Sequence, residues 1–522
     1  MIRPFLVPAF LLLAATAASA QTAAQKPGVQ RPTAAAAVPA PPRSNLPPVD
    51  PALKAALQGT AANDPVVRFY TLRNFAPAWS KTDQQELMAA LEGADRHALI
   101  QKDYLPNLDG VKDPVQRDIR LTRSALAYAK ALAMGRVDPE TVESIFTLRR
   151  NVVDVAAGLN GALASAKLAP WLDSLAPNDK GYEGLSRGYL RYRDIALKGG
   201  WPAFKLGAKI EPGALDPRVP ALAARLLAEG DLDSPVTGNV YTPELVEAVK
   251  IFQVRHGLLD DGIIGADTQD ELMATAEDRA RMIATNLERR RWLARFPAAE
   301  RIDVNTAASL LVYWRNGQTV HASRVVNGKA TSATPSLEAP FSSVLANPPW
   351  NVPGGIAAKE ILPRGPGYLA AQNMYVTGGR VVQRPGPKSA LGLVKFEVTN
   401  PYAIYLHDTP SKRFFAAYQR HLSHGCVRVE NAVDFARLLL ASNPAALAQF
   451  DAAQASGDTT RVSLGREIPV RLLYWTAFMT GADRVAFRKD VYKLDDKLGQ
   501  ALGVGGLSFI PADRTKAVDV GP

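Results

Sequence analysis

The chain has 522 residues, a formal net charge of +11, 47 % hydrophobic residues and one cysteine. This length predicts about two to four domains, because single domains typically contain ~100–200 residues. The composition excludes a wholly disordered chain. One cysteine excludes an internal disulfide framework and a cysteine-rich zinc site, and the confinement of the long apolar run to the N-terminus excludes a polytopic membrane protein.

The first 20 residues are typical of a cleavable export signal. Arg3 supplies a positive charge, Pro4–Ala18 is an apolar stretch of 15 residues, and Ala18-Ser19-Ala20 has the small residues of a cleavage site. A membrane-spanning helix needs about 20 apolar residues, so this stretch is short for one. We therefore predict an exported mature chain without an integral membrane segment; the alternative is that the signal is kept as an anchor.

Two regions of different character follow the signal. Residues 21–49 contain seven prolines and seven alanines and few large apolar residues, so they predict a disordered tether. From residue 50 to 208, apolar residues recur at helical spacing, for example in Gln84–Leu91, Asp118–Met134 and Ala162–Leu175. Because this region gathers no acids, bases or nucleophiles, we predict that it is a helical scaffold.

The middle of the chain predicts a small helical unit and a connecting helix. Residues 209–276 contain two amphipathic helices, Val219–Leu227 and Thr242–His256, with glycine-containing turns around them. Residues 277–299 are helical and basic around Arg289-Arg290-Arg291. A nucleic-acid or lipid-binding patch and a solvated linker helix are the two interpretations. One arginine cluster is a weak indicator of nucleic-acid binding, so we predict a linker and no nucleic-acid partner.

From residue 300 to 478 the periodicity becomes strand-like. Leu310–Arg315 and Thr319–Val326 flank Asn316-Gly317, which is a strong hairpin signal. Leu393–Val398 alternates between apolar and polar residues, as a half-buried strand does. Further short elements are a strand at Ala403–His407 and a helix at Asn431–Ser442. We therefore predict a mainly β C-terminal domain with a few helices, followed by an extension over residues 479–522.

The single cysteine lies among histidines. Cys426 stands in the run Ser423-His424-Gly425-Cys426-Val427-Arg428, 19 residues after His407. An imidazole nearby lowers the pKa of a thiol and makes the nucleophilic thiolate available. The N–H groups of His424, Gly425 and Cys426 could form an oxyanion hole. This pattern predicts a catalytic thiol.

Other interpretations of Cys426 stay open on the residues alone. It could be a buried structural cysteine or form an intermolecular disulfide. It could also complete a zinc site with His407, His421 and His424. Against zinc, Gly425 would interrupt the helix on which the His-x-x-His spacing depends.

The cysteine run and the segment Tyr405-Leu406-His407-Asp408-Thr409-Pro410 together resemble the signature of the L,D-transpeptidases, cysteine enzymes that cross-link bacterial peptidoglycan. Pro349–Pro353 and Ala390–Phe396 resemble the large periplasmic subgroup, and the pattern from Val249 to Leu272 resembles the helical peptidoglycan-binding domain of wall enzymes. The resemblance implies a multidomain protein of the periplasm. Its helical scaffold and small peptidoglycan-binding domain would precede a mainly β catalytic domain.

The resemblance also implies roles for the candidate site residues. Cys426 would be the nucleophile and His407 its base, with His424 and Gly425 forming the oxyanion pocket. Arg428 would bind a stem-peptide carboxylate in a bidentate fork. The remaining predicted substrate-binding residues are Tyr405, which strand alternation places on the same face as His407, Ser423 and Trp350.

The glycine- and proline-rich segment 354–390 would be a lid over the active site, since long irregular segments in compact domains are often lids. The implied reaction is 3→3 cross-linking of peptidoglycan through a Cys426 thioester, with no metal or organic cofactor. The implied partners are stem peptides, glycan and other wall-synthesis enzymes. The alternatives are an L,D-carboxypeptidase or another peptidoglycan amidase that uses the same pair, and a non-catalytic wall-binding scaffold.

Overall fold

The computed structural model describes residues 47–481, 484–506 and 508. The predicted signal (1–20), most of the predicted tether and much of the predicted C-terminal extension lie outside the described residues. Among the residues described, no helix is both long and apolar enough to cross a membrane.

Short helices build the N-terminal domain. Several begin with the same dipeptide, in which Asp50, Asp64, Asp113 or Asp138 is the N-cap and the next residue is proline. Each carboxylate accepts a hydrogen bond from a backbone N–H of the first turn, and proline suits the first helical position because it has no N–H to satisfy. The helices are α1 Pro51–Ala56, α2 Pro65–Leu72, α3 Lys81–Glu92, α4 Pro114–Met134, α5 Pro139–Val142, α6 Val155–Ala164, α7 Leu168–Leu175 and α8 Lys180–Leu197.

Two of the helices predicted in this domain are confirmed by α3 and α4. The prediction of one helix over Ala162–Leu175 is wrong, because α6 ends at Ala164 and α7 begins at Leu168. The chain turns between them at Ala166, whose φ is +52°. This left-handed conformation interrupts a right-handed helix.

The small helical unit contains α9 Val219–Glu229, α10 Pro243–Arg255 and α11 Ala266–Met273. Both predicted amphipathic helices are confirmed, with Thr242 as the N-cap of α10. Phe252 and Leu272 are buried in its own apolar core, which is separate from the core of the N-terminal domain.

The predicted linker helix is α12, Ala276–Trp292. The prediction that it is solvated is wrong, since most of the helix is buried and Ile283 and Leu287 belong to the core of the N-terminal domain. The helix is rich in charge and can be buried because its arginines have partners. Arg291 pairs with Glu288 at 2.7 Å and Arg279 pairs with Glu271 of α11 at 2.8 Å.

The C-terminal domain consists of strands with a few helices, as predicted. Its strands are β1 Arg301–Asn305, β2 Leu310–Arg315, β3 Gln318–Gly328, β4 Leu337–Ala346, β5 Trp350–Asn351, β6 Met374–Thr377, β7 Arg380–Gln383, β8 Val394–Val398, β9 Leu406–His407, β10 His421–Ser423, β11 Val427–Val429 and β12 Thr460–Leu473. Its helices are α13 Gly354–Ile356, α14 Gly365–Ala371, α15 Ala432–Leu440 and α16 Pro444–Ser456.

Nine strands form one sheet in the order β10-β3-β11-β9-β8-β4-β12-β1-β2. Strand β3 also pairs with β2 through the predicted Asn316-Gly317 hairpin, so the sheet closes on itself. Both turn residues have positive φ, as a tight hairpin of this twist requires. The strand predicted at Ala403–His407 is shorter than expected, because only Leu406–His407 is paired.

The segment predicted to be an irregular lid is folded. It holds α13, α14, β6 and β7, and β7 pairs with β5 just before the segment. Ile361, Leu369 and Val381 form an apolar cluster with Trp350. The glycines and prolines therefore separate short elements with a core of their own.

Strand β13 Ala477–Met479 crosses the predicted boundary at residue 478, and the described part of the predicted extension is also folded, with β14 Val485–Phe487 and α17 Leu494–Leu502. Ala477, Val485 and Phe487 belong to the core of the N-terminal domain. Asp495 of α17 forms an ion pair with Arg289 of α12. The described C-terminal segment thus packs against the N-terminal domain.

We predict that Arg291→Leu strongly destabilises the protein, because it leaves the buried carboxylate of Glu288 without its cation. Breaking a buried pair in this way costs about 3–5 kcal/mol. Urea unfolding followed by circular dichroism measures the loss. Arg437→Leu removes an exposed pair between α15 and α16 and is the matched control, which we expect to unfold at nearly the wild-type urea concentration. Equal midpoints for the two variants would contradict the prediction.

Candidate active site

The parallel pairing of β9 with β11 brings the predicted catalytic residues together. Arg428 is opposite His407 in the register, and the Val427 N–H donates to the Tyr405 carbonyl at 3.0 Å. Side chains alternate along a strand, so Tyr405 and His407 share one face of the sheet with Cys426 and Arg428. The rings of Tyr405 and His407 lie 5.6 Å apart between centroids.

His407 is a buried, neutral imidazole. Its Nδ1–H donates to the carbonyl of Asp408 at 2.5 Å, which leaves Nε2 without a proton and able to accept one. Burial, and next the positive charge of Arg428, lower the pKa of His407 to about 3. The ring is therefore an unprotonated base at neutral pH.

The thiol of Cys426 is mostly protonated. Burial raises its pKa, whereas hydrogen bonds from Tyr405 and the cations Lys395 and Arg428 act in the opposite direction. The Sγ atom donates to the carbonyl of Ala403 at 3.6 Å. This differs from the prediction of a lowered thiol pKa: at neutral pH the thiol of Cys426 and the imidazole of His407 are both uncharged.

Tyr405 connects the sulfur with the segment predicted to be the lid. Its side chain hydrogen-bonds both Cys426 and Trp350. The ammonium of Lys395 lies 4.3 Å from the centroid of its ring. Trp350 is buried in the apolar cluster of that segment. The two predicted substrate-binding aromatic residues therefore contact each other and position the thiol.

Arg428 is a buried cation without a counter-charge. Its side chain forms no ion pair among the described residues, and its Nε has no hydrogen-bond partner there. Burial lowers the pKa of Arg428, and the negative charge that Cys426 can carry opposes this effect only in part. A guanidinium in this condition is suited to a carboxylate or to a developing negative charge.

The turn before Cys426 is held by its own side chains. Gly425 has a φ of +119°, which favours glycine. The Ser423 hydroxyl donates to the Cys426 carbonyl at 2.6 Å and accepts the Gly425 N–H at 3.2 Å. Two expectations are corrected: Ser423 is buried and bonds within the turn instead of facing substrate, and the Gly425 N–H is not a free oxyanion donor.

Two residues that sequence reasoning missed hold the other side of this turn. Thr334 Oγ1 donates to the Gly425 carbonyl at 2.8 Å and accepts the Gly328 N–H at 2.9 Å. Tyr492 OH donates to the Gly328 carbonyl at 2.8 Å and accepts the Thr334 N–H at 3.3 Å. Both residues are far from Cys426 in sequence, and no local signal identifies them.

His424 faces the predicted lid. Its Nε2–H donates to Glu360 Oε1 at 2.8 Å, so it connects the catalytic turn to that segment. His421 Nε2 points instead to the Thr306 carbonyl at 2.9 Å. The two rings diverge, and the described residues contain no group of three or more side chains able to hold a metal ion. His407, His421, His424 and Cys426 therefore do not gather into the four-ligand arrangement that the histidine spacing had left open.

Three family models match the chain. Residues 64–188 match a family described as "Scaffold domain", and residues 216–272 match one described as "Putative peptidoglycan binding domain". Residues 299–462 match the L,D-transpeptidase catalytic domain. The C-terminal domain is thus similar to L,D-transpeptidase catalytic domains. The predicted order of scaffold, peptidoglycan-binding domain and catalytic domain is confirmed at the level of families.

Known proteins similar to this chain have related names. It is 32 % identical over 243 residues to a "Putative L,D-transpeptidase" of Haemophilus influenzae. The aligned segment covers 42 % of this chain and 49 % of that protein. The chain thus spans about half the length of this curated relative.

Two solved L,D-transpeptidases resemble the chain weakly. The enzyme from Stackebrandtia nassauensis is 13 % identical with a TM-score of 0.22, covering 52 % of this chain and 96 % of that one. The enzyme from Xylanimonas cellulosilytica is 16 % identical with a TM-score of 0.18, covering 51 % and 98 %. These scores are low, so the family assignment rests on the sequence matches.

We predict that Thr334→Val slows acylation of Cys426 about tenfold or more, because small displacements of a catalytic turn are costly. The rate is measured by mass spectrometry with a carbapenem. Thr459→Val is the control, since Thr459 Oγ1 also donates to a carbonyl, that of Asn347, at 2.7 Å and away from the site. Both variants should melt at similar temperatures. A Thr334→Val protein that reacts as fast as the control would contradict a positioning role.

The neutral resting pair predicts two different pH profiles for Cys426. Iodoacetamide reacts with the thiolate alone, so at neutral pH the alkylation of Cys426 should be slower than that of a free cysteine peptide. Above neutral pH its rate should rise about tenfold per pH unit. Carbapenem acylation uses His407 as the base and should vary little over about pH 5–8, because His407 stays unprotonated. An alkylation rate that reaches its plateau below pH 7 would indicate a stored thiolate instead.

Proposed function

We propose that this chain is a periplasmic L,D-transpeptidase that forms 3→3 cross-links in peptidoglycan through a thioester on Cys426. One observation carries the proposal: Tyr405, His407, Cys426 and Arg428 share one face of paired strands within the segment that matches the catalytic domain. A base, a thiol and an unpaired cation at one place are the groups needed for acyl transfer from an anionic peptide.

In the first step, the sulfur of Cys426 attacks the carbonyl of the third stem residue, a diaminopimelate. The S–H bond breaks as the S–C bond forms, and the proton passes to His407 Nε2. The C–N bond to the terminal D-Ala then breaks, and the departing amine takes the proton from the imidazolium. The Asp408 carbonyl holds the ring in the tautomer that this transfer requires.

In the second step, the side-chain amine of another stem attacks the thioester. His407 accepts a proton from this amine, an amide forms, and the sulfur leaves and regains a proton. The Cys426 N–H is the main-chain donor that we assign to the oxyanion, since the Gly425 N–H is bonded to Ser423. Arg428 binds a stem carboxylate, and the folded segment over Tyr405 limits the access of water to the thioester.

The predicted export signal and the match of the small domain to a peptidoglycan-binding family support a periplasmic location and peptidoglycan as partner. Binding of glycan by that domain and association with other wall-synthesis enzymes belong to the same proposal.

We predict that Cys426→Ala and His407→Ala abolish 3→3 dimers when purified protein is incubated with tetrapeptide muropeptides. Mass spectrometry of the products measures them. His321→Gln is the control, because His321 stacks on Phe435 away from the site and the variant should keep its activity. Tripeptides without dimers from the wild-type protein would identify an L,D-carboxypeptidase. A Cys426 that no carbapenem labels would identify an inert wall-binding scaffold.

A further inference from the structure

A cavity lined by arginines lies where the small helical domain meets the C-terminal β domain. A cavity of about 160 Å³ is lined by His256 and Gly257 of the small domain, Ala308 and Arg420 of the catalytic domain, and Arg488 of the C-terminal segment. Arg420 directly precedes β10, and the catalytic turn directly follows it. The cavity and the thiol therefore lie near opposite ends of one short strand.

The two arginines of this cavity carry charge that no carboxylate neutralises. Arg420 donates to carbonyl oxygens of Ala417 and Val325, and Arg488 donates to those of Arg255 and Phe487. Neither forms an ion pair among the described residues, and the positive charge of Arg420 disfavours the charged form of Arg488. Burial lowers the pKa of both groups to about 10, and Arg420 adds to this effect on Arg488.

The carboxylates that act electrostatically on the two arginines are already paired elsewhere, and Asp267 pairs with the lining residue Lys489. Glu430, which faces Arg420, is held by Arg324 Nε at 2.8 Å. Glu271, which faces Arg488, is held by Arg279 at 2.8 Å. Because both guanidinium groups stay charged at neutral pH, the cavity has a surplus of positive charge.

The cavity also contains an unused hydrogen-bond acceptor. His256 Nδ1–H donates to the Phe252 carbonyl at 2.7 Å, so Nε2 carries a lone pair. Nε2 is buried and has no partner among the described residues. Gly257 allows the side chain of Arg488 to approach the backbone next to His256, since a Cβ there would come within 2.7 Å of Arg488 Cδ. Two cations and one acceptor suit a ligand that presents a carboxylate next to an N–H group, as a peptide does.

We propose that this cavity, named here the junction site, binds a carboxylate-bearing stretch of wall peptide outside the thioester-forming site. The inference rests on the proposed function for the identity of the ligand. Binding at the junction site would hold the polymer against both the small domain and β10. The wall strand would then be retained between successive acyl transfers at Cys426.

The test is binding to purified peptidoglycan sacculi by sedimentation, in a Cys426→Ala background that prevents turnover. We expect Arg420→Gln and Arg488→Gln each to weaken binding about tenfold, as the loss of a charged hydrogen bond does. Arg461→Gln, which removes an exposed arginine of β12, is the control with the same change of charge. Converting the carboxylates of the sacculi to amides should weaken binding of the wild-type protein as much as the arginine substitutions do. The binding of Arg488→Gln should not change on amidation.

The proposal would be overturned if Arg488→Gln bound sacculi as tightly as Arg461→Gln. It would also be overturned if amidation weakened the wild-type protein and Arg488→Gln equally. If Arg488→Gln fails to fold, Leu258→Glu replaces it, because Leu258 is only half-buried at the cavity and its new carboxylate would occupy the guanidinium groups. Retention of full affinity by Leu258→Glu would equally overturn it. Displacement of sacculi by inorganic phosphate but not by glutarate would refute a carboxylate ligand.

A separate readout distinguishes this proposal from the catalytic one. Carbapenem acylation is measured on proteins that keep Cys426, and we expect Arg488→Gln and Arg461→Gln to react at the same rate. Absence of acylation in every protein would refute the proposed function while sedimentation still decides the junction site.

Discussion

The pairing of buried charges on α12 is the constraint on which the arrangement of domains depends. A charge-rich helix can enter a protein interior only if each cation meets an anion. Here the anions come from different parts of the chain: Glu288 from α12 itself, Glu271 from the small domain and Asp495 from α17. The ion pairs of these arginines therefore hold the small domain and the C-terminal segment against the same helix.

That arrangement reaches the catalytic turn through hydrogen bonds. Asp490 and Tyr492 follow the C-terminal hairpin, and the Tyr474 hydroxyl bonds to Asp490 at 2.7 Å while accepting the Tyr492 N–H at 3.1 Å. Tyr492 supports Thr334, and Thr334 holds the Gly425 carbonyl. The support of the turn thus begins with Thr334 and extends to residues outside the segment that matches the catalytic family. A fixed turn is valuable for a neutral thiol, whose reaction depends on the geometry of proton transfer.

The sequence was most informative where the determinants are local. The Asn316-Gly317 hairpin, the amphipathic helices of the small domain and the Ser-His-Gly-Cys run each carry their own signal within a few residues. Expectations were wrong where distant partners decide the outcome. The charged residues of α12 predict an exposed helix, because the carboxylate that pairs with Arg279 lies in another element of the chain. Ser423 is predicted to contact substrate, because its hydrogen bond to Gly425 exists only once the turn has formed. Thr334 is 91 residues from Gly425, a distance over which periodicity carries no information.

The return of the C-terminal hairpin to the first domain has a consequence for how the molecule is made. Ala477, Val485 and Phe487 complete an apolar core whose other members are mostly in the first 200 residues. Synthesis and the predicted export both proceed from the N-terminus, so the helices of this domain emerge before the residues that complete their apolar core. Assembly of this protein is therefore not a succession of independently finished modules, and its first domain is among the last parts to reach full stability.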